Sequence, residues 1–128
     1  MAVFEKILHV EDDADIREIA KIALEMIGGL DVHQCASGHD AIAIAEEYAP
    51  DLILLDVMMP VIGGEETLRE LRKNPALDQV PAVFMTAKAH QKEKQALLDQ
   101  GAVAVIVKPF DPTTLADEIR AIWEAQAR

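Results

Sequence analysis

The sequence predicts an α/β domain: a doubly wound, five-stranded parallel sheet with helices on both faces. Three observations predict it. Short apolar runs alternate with helical patterns five times along the 128 residues. Three of those runs are nearly continuous in aliphatic residues, the signature of strands covered on both faces. Nothing is left over for a second domain, so 1–128 reads as a single unit with no further domain attached.

The strand stretches are KILHV (6–10), DVHQCA (31–36), LILLD (52–56), AVFMT (82–86) and VAVIV (103–107). Between them, Ile16, Ile19, Ala20, Ala23 and Ile27 recur at helical spacing, and Gly28-Gly29 stops that helix. Ala41, Ile42, Ala45 and Tyr48 mark a second helix, ended by Pro50, and Thr67, Leu68 and Leu71 a third, ended before Pro75. Gln91 to Gln100 forms a fourth with Leu97 and Leu98 inward. Pro112 opens a fifth, in which Leu115, Ile119 and Ile122 face the core.

The bulk properties narrow the function. The chain is 51% hydrophobic and 27% charged, so it folds into a core, and with 4% aromatics that core is aliphatic. A net charge of −11 and a pI near 4.6 argue against direct nucleic-acid binding and against docking on anionic membranes. They are compatible with a bound divalent cation. One cysteine, Cys35, allows no internal disulfide. The start MAVFEKILHVEDD is not a signal peptide, and no apolar run is long enough to span a bilayer. The expected compartment is the cytoplasm.

In an open α/β sheet, ligands bind beyond the carboxyl ends of the strands. Strand one runs into Glu11, Asp12 and Asp13, strand three ends in Asp56, strand four in Thr86, and strand five runs into Lys108. Strand two ends in Ala36-Ser37 and contributes nothing obvious. Taken singly these residues have plain readings: Asp56 as a turn cap, Thr86 as a β-former, Lys108 as a solvated charge. Gathered at one edge they do not. Carboxylates about 5 Å apart repel by roughly 3 kcal/mol per pair at an effective dielectric of about 20, more than one lysine offsets. An all-oxygen cluster favours a hard cation, and Mg²⁺ suits a site awaiting phosphate. A carboxylate beside Mg²⁺, a hydroxyl and an ammonium fits phosphoryl transfer to Asp56.

The stretches ILHVEDDADIRE, PDLILLDVMMP, AVFMTA and GAVAVIVKPF, in this order, resemble the receiver domains of two-component response regulators in their stand-alone, chemotaxis-type form. The resemblance covers nearly the whole chain. It implies a flavodoxin-like sheet of order 2-1-3-4-5, with Asp56 as phosphoacceptor and Thr86 and Lys108 contacting the phosphoryl group. It implies Mg²⁺ held by Asp12, Asp56, the backbone carbonyl of Met58, and Glu11 through water. It also implies a cis Lys108–Pro109 bond. The triple Glu11-Asp12-Asp13 offers two acidic pairs. The family places an apolar–Arg pair after the direct metal ligand, and Ile16-Arg17 then selects Glu11–Asp12, leaving Asp13 as helix cap.

The implied function is a phosphorylation-dependent switch that catalyses only its own phosphorylation and dephosphorylation. Its donor would be a sensor histidine kinase or a histidine phosphotransfer protein. Its output would be a protein docked on the face of helix four, strand five and helix five. The alternatives are a phosphate-independent adaptor, a flavin carrier and a Mg²⁺ phosphatase. The acids after strand one repel a flavin phosphate. The phosphatase needs an Asp two residues after the nucleophile, where this chain has Met58. The sequence departs from the family at Val105, where relatives carry an aromatic switch residue, at Val103 and Ala104, where polar residues are common, and at VIGG (61–64), where a glycine usually comes first.

Overall fold

The computed structural model describes residues 3–88 and 90–127. Strands β1 (Lys6–Val10), β2 (Asp31–Cys35), β3 (Leu52–Asp56), β4 (Ala82–Thr86) and β5 (Ala104–Val107) form one parallel sheet in the order β2-β1-β3-β4-β5. Helices α1 (Ala14–Lys21), α2 (Gly38–Tyr48), α3 (Gly64–Arg72), α4 (Gln91–Asp99) and α5 (Leu115–Ala127) connect and flank the strands.

Alternation along each strand divides the core into two layers. Leu8, Val10, Ile53, Leu55 and Phe84 pack with residues of α2, α3 and α4. Ile7, Leu52, Leu54, Val83 and Met85 pack with residues of the first helical segment and α5. The central strands β3 and β4 are buried throughout, which is why they read as continuous apolar runs. The chain winds outward in both directions from β1 and β3, so their carboxyl ends border the crevice where the fold binds ligands.

Four local departures have physical causes. The first helix does not continue as a regular α-helix to Gly28: Ile22–Ile27 is a π-helical segment, in which Gly28 N donates to the Ala23 carbonyl at 3.1 Å. The wider turn points Leu24 inward beside Ala20 and Ala23, while Ile19 and Ile27 of the expected apolar series are 46% and 54% exposed. The second helix ends at Tyr48, two residues before Pro50, because the left-handed backbone of its cap residue Ala49 (φ 55°) breaks it. The strand β5 begins at Ala104, and Val103 only donates its N–H to the Ala82 carbonyl. Pro112 lies before α5 and not at its start, because Asp111 Oδ1 accepts from the N–H and hydroxyl of Thr113 and forms a separate turn.

Val61 stands where a glycine is usual in the loop after β3, and its backbone shows why glycine suits the position. Its φ is +68° and its side chain is 88% exposed, so a β-branched residue sits in left-handed backbone with no packing to offset the strain. Val61→Gly should raise stability by about 1 kcal/mol, relief of strain exceeding the entropy that glycine adds to the unfolded chain. An unchanged or lowered melting temperature would show the loop to be unstrained.

Candidate functional site

The strand ends converge as the sequence implies. Glu11 follows β1 and is 1% exposed. Its Oε1 accepts from Lys108 Nζ at 2.7 Å and its Oε2 from Asp13 N at 3.2 Å. Asp13 is the cap of α1, its Oδ1 accepting from the N–H groups of Asp15 and Ile16. Asp56, the last residue of β3, is 4% exposed, and its Oδ1 lies 2.9 Å from Lys108 Nζ. Lys108 arrives from β5, its backbone N–H bonded to the Thr86 carbonyl and its peptide bond to Pro109 cis. One ammonium therefore bridges two buried carboxylates.

Glu11, Asp12 and Asp56 each place a carboxylate oxygen within 4.8 Å of the others. They line an open cavity of about 220 Å³ with Asp13, Ile16, Met58, Ala87 and Lys108. The donors are all oxygen, and Asp12 is exposed at the mouth. This set fits a hard divalent cation. The Met58 side chain is 70% exposed at the edge of the cavity.

Thr86 is not in the acid-lined cavity. Its hydroxyl accepts from Lys88 N at 3.1 Å and is turned into its own loop. It lines a neighbouring pocket of about 200 Å³ between α3 and α4, with Glu65, Lys88 and Glu93. Val105 packs partly buried against the core layer that holds Phe84, with no aromatic ring in its place. Of the segment 87–91 that follows Thr86, Ala89 lies outside the described residues.

Burial sets the electrostatics. Desolvation pushes the Glu11 carboxyl up to about 7, against the bonds from Lys108 and Asp13 N, with the Asp56 charge adding to the rise. Burial works to lower the Lys108 pKa, but its bonds to Glu11 and Asp56 and their charges outweigh it and hold the ammonium above its ordinary value. His9, fully buried in β1, is pushed down to about 3 by desolvation and then by the charges of Lys108 and Arg17.

His9 carries a pH prediction. Between pH 3 and 6.5 the unfolded chain binds a proton at His9 that the folded chain refuses, so stability falls as the solution is acidified through that window. His9→Leu should flatten this acid loss by a few kcal/mol. Melting curves from pH 7 to pH 4 check it, and an unaltered acid slope in the variant would place the loss elsewhere.

By sequence the second strand contributes nothing obvious to the site, yet β2 delivers Gln34. Its Nε2 donates to the Arg17 carbonyl at 2.7 Å and lies 3.1 Å from His9 Nδ1, while Arg17 Nη1 donates to the Glu11 carbonyl at 2.8 Å. The signal was present in the period-2 pattern: Gln34 shares a face with Val32, which is buried in the core.

Comparison with known proteins decides the family. The sequence model of the response regulator receiver domain matches residues 7–120. The chain belongs to that family. The phosphate regulon transcriptional regulatory protein PhoB of Pseudomonas aeruginosa is 37% identical over 116 residues, covering 91% of this chain and 50% of that protein. A probable transcriptional regulator, ycf27 of Porphyridium aerugineum, is 39% identical over 118 residues, covering 92% of this chain and 48% of that protein. The receiver domain thus spans about half the length of the curated relatives it matches. Among solved structures, the chemotaxis response regulator CheY4 of Vibrio cholerae superposes with a TM-score of 0.86 at 31% identity, covering 94% of this chain and 99% of that one. The flavodoxin-like receiver fold and its strand order are as the sequence implied. The expectation that nucleic acid plays no part is not supported, because these relatives are named transcriptional regulators and acidity speaks only for this domain's own surface. Among the described residues, no helix is long and apolar enough to cross a membrane.

Proposed function

We propose that this receiver domain is a phosphorylation-dependent switch in which Asp56 accepts a phosphoryl group from a phosphohistidine donor. One observation carries the reading: Asp56 and Lys108 meet at 2.9 Å in a cavity where three carboxylates come within reach of one cation. A bound Mg²⁺ would neutralise the phosphoryl oxygens and hold them beside the acceptor. Asp12, Asp56 and the Met58 carbonyl would hold it directly, and Glu11 through water.

The Asp56 carboxylate supplies the electron pair that forms the O–P bond, while the donor's N–P bond breaks and its imidazole leaves. Lys108 is fixed by Glu11 and Asp56, so its charge is in place before the donor arrives. Thr86 Oγ1 accepts from Lys88 N, which leaves the hydroxyl proton free to be donated to a phosphoryl oxygen in a charge-assisted bond once the loop brings it there. With Val105 unable to fill a ring-sized space, the change would travel through the backbone after Thr86 into α4. Its output surface is the face of α4, β5 and α5, and the protein acts in the cytoplasm. It turns over no external substrate. The phosphate-independent adaptor reading leaves the shared cluster of acids and Lys108 without a purpose.

The deciding experiment is intact-mass measurement after incubation with Mg²⁺ and a small acyl phosphate. The mass should rise by one phosphoryl group, and not in chelator. Full labelling in chelator, or none with Mg²⁺, would overturn the reading.

The same site predicts an order of metal affinities. Asp12→Ala should weaken Mg²⁺ binding by about tenfold or more, whereas Asp13→Ala should cost about 1 kcal/mol of stability through the lost cap and little affinity. Calorimetric titration of the two variants reads the order directly. If Asp13→Ala loses more, the metal pair is shifted by one residue.

A further inference from the structure

Beneath the acidic loop runs a closed circuit of hydrogen bonds. His9 on β1 and Gln34 on β2 are register partners, so their side chains leave the sheet on the same face. The Gln34 amide nitrogen donates to the Arg17 carbonyl in α1, which identifies it as the NH₂ group. His9 Nδ1 is then the acceptor of the 3.1 Å contact, and the imidazole proton sits on Nε2. The Arg17 guanidinium in turn donates to the Glu11 carbonyl. His9 and Glu11 are two residues apart on one chain segment, so the circuit closes around the loop that bears Glu11, Asp12 and Asp13.

Such a circuit is costly where aliphatic side chains would serve. His9 is completely buried and its Nε2 has no partner among the described residues. What the circuit fixes is the peptide unit between Glu11 and Asp12, held by Arg17 from one side while the Glu11 carboxylate is held by Lys108 and Asp13 N. Arg17 Nη1 bonds a backbone carbonyl, and among the described residues its guanidinium forms no ion pair with the Asp12 carboxylate, which stays exposed at the mouth of the cavity.

We infer that Gln34, acting through Arg17, is a positioning residue for the cation site, coupling the edge strand β2 to the Glu11–Asp12 peptide. It rests on the reading above that these acids hold Mg²⁺.

The test uses Mg²⁺ titration calorimetry and melting temperature in chelator, on the full chain. Gln34→Met keeps length and volume but donates nothing, and it should raise the Mg²⁺ Kd by about tenfold. Arg17→Met should raise it at least as much, and Arg17→Lys, which retains a donor, should recover part of the loss. Val32→Ala, on the same strand and facing the same core layer, is the structural control: it should lower the melting temperature and leave the Kd alone. Wild-type Mg²⁺ affinity in Gln34→Met, or an equal loss in Val32→Ala, overturns the inference while leaving the phosphoacceptor reading in place. Absence of Mg²⁺ binding by the wild type would instead remove the reading on which it rests.

Discussion

Asp56→Asn should take up no phosphoryl group from a small acyl phosphate with Mg²⁺ present, while the wild type gains one. The substitution keeps the shape of the side chain and the place of the last residue of β3, but the amide has no carboxylate electron pair to offer phosphorus. It also removes one charge from a cluster in which Lys108 already bridges Glu11 and Asp56. The variant should remain folded, and Mg²⁺ should raise its melting temperature less than it raises that of the wild type, because a ligand stabilises by its affinity for the folded state. Labelling of Asp56→Asn to the wild-type level would move the acceptor to another residue. Equal Mg²⁺ stabilisation of both proteins would take Asp56 out of the metal site.

Gly64→Ala should be strongly damaging although Gly64 takes no part in the chemistry. A Cβ at Gly64 would stand 2.3 Å from the Asp56 carbonyl oxygen and 3.2 Å from the Val57 Cα. Both obstacles are backbone, so no rotamer change relieves them, and either α3 or the end of β3 must move. Overpacking of this kind costs about 3 kcal/mol, and the melting temperature should fall by about 10 °C. The displaced backbone carries Asp56, so acyl-phosphate labelling of the protein that remains folded should slow by about tenfold or more. Thermal melting and the time course of labelling measure the two effects separately. A stable, rapidly labelled Gly64→Ala would mean that α3 is free to back away from the site.

Much of this molecule is determined by the sequence alone. LILLD and AVFMT are apolar at every position but the last, and that pattern places both strands in the middle of a covered parallel sheet with Asp56 and Thr86 at its edge. The acids after β1 and Lys108 after β5 follow from the same rule, because an open α/β sheet exposes its carboxyl ends. The capping role of Asp13 is equally local, set by the N–H groups two and three residues on.

Tertiary structure decided the rest, since it depends on neighbours that spacing does not specify. The π-helical turn at Ile22–Ile27 changes which residues of the first helix are buried. Thr86 Oγ1 faces Lys88 N and not the acids, a choice made by the loop geometry after β4. Gln34 looked unremarkable in the sequence because its partners, His9 and Arg17, lie 25 and 17 residues away. Only the pairing of β1 with β2 brings those three together under Glu11. Sequence pattern fixes which strand end a residue occupies, whereas register and helix packing decide which polar atoms meet there.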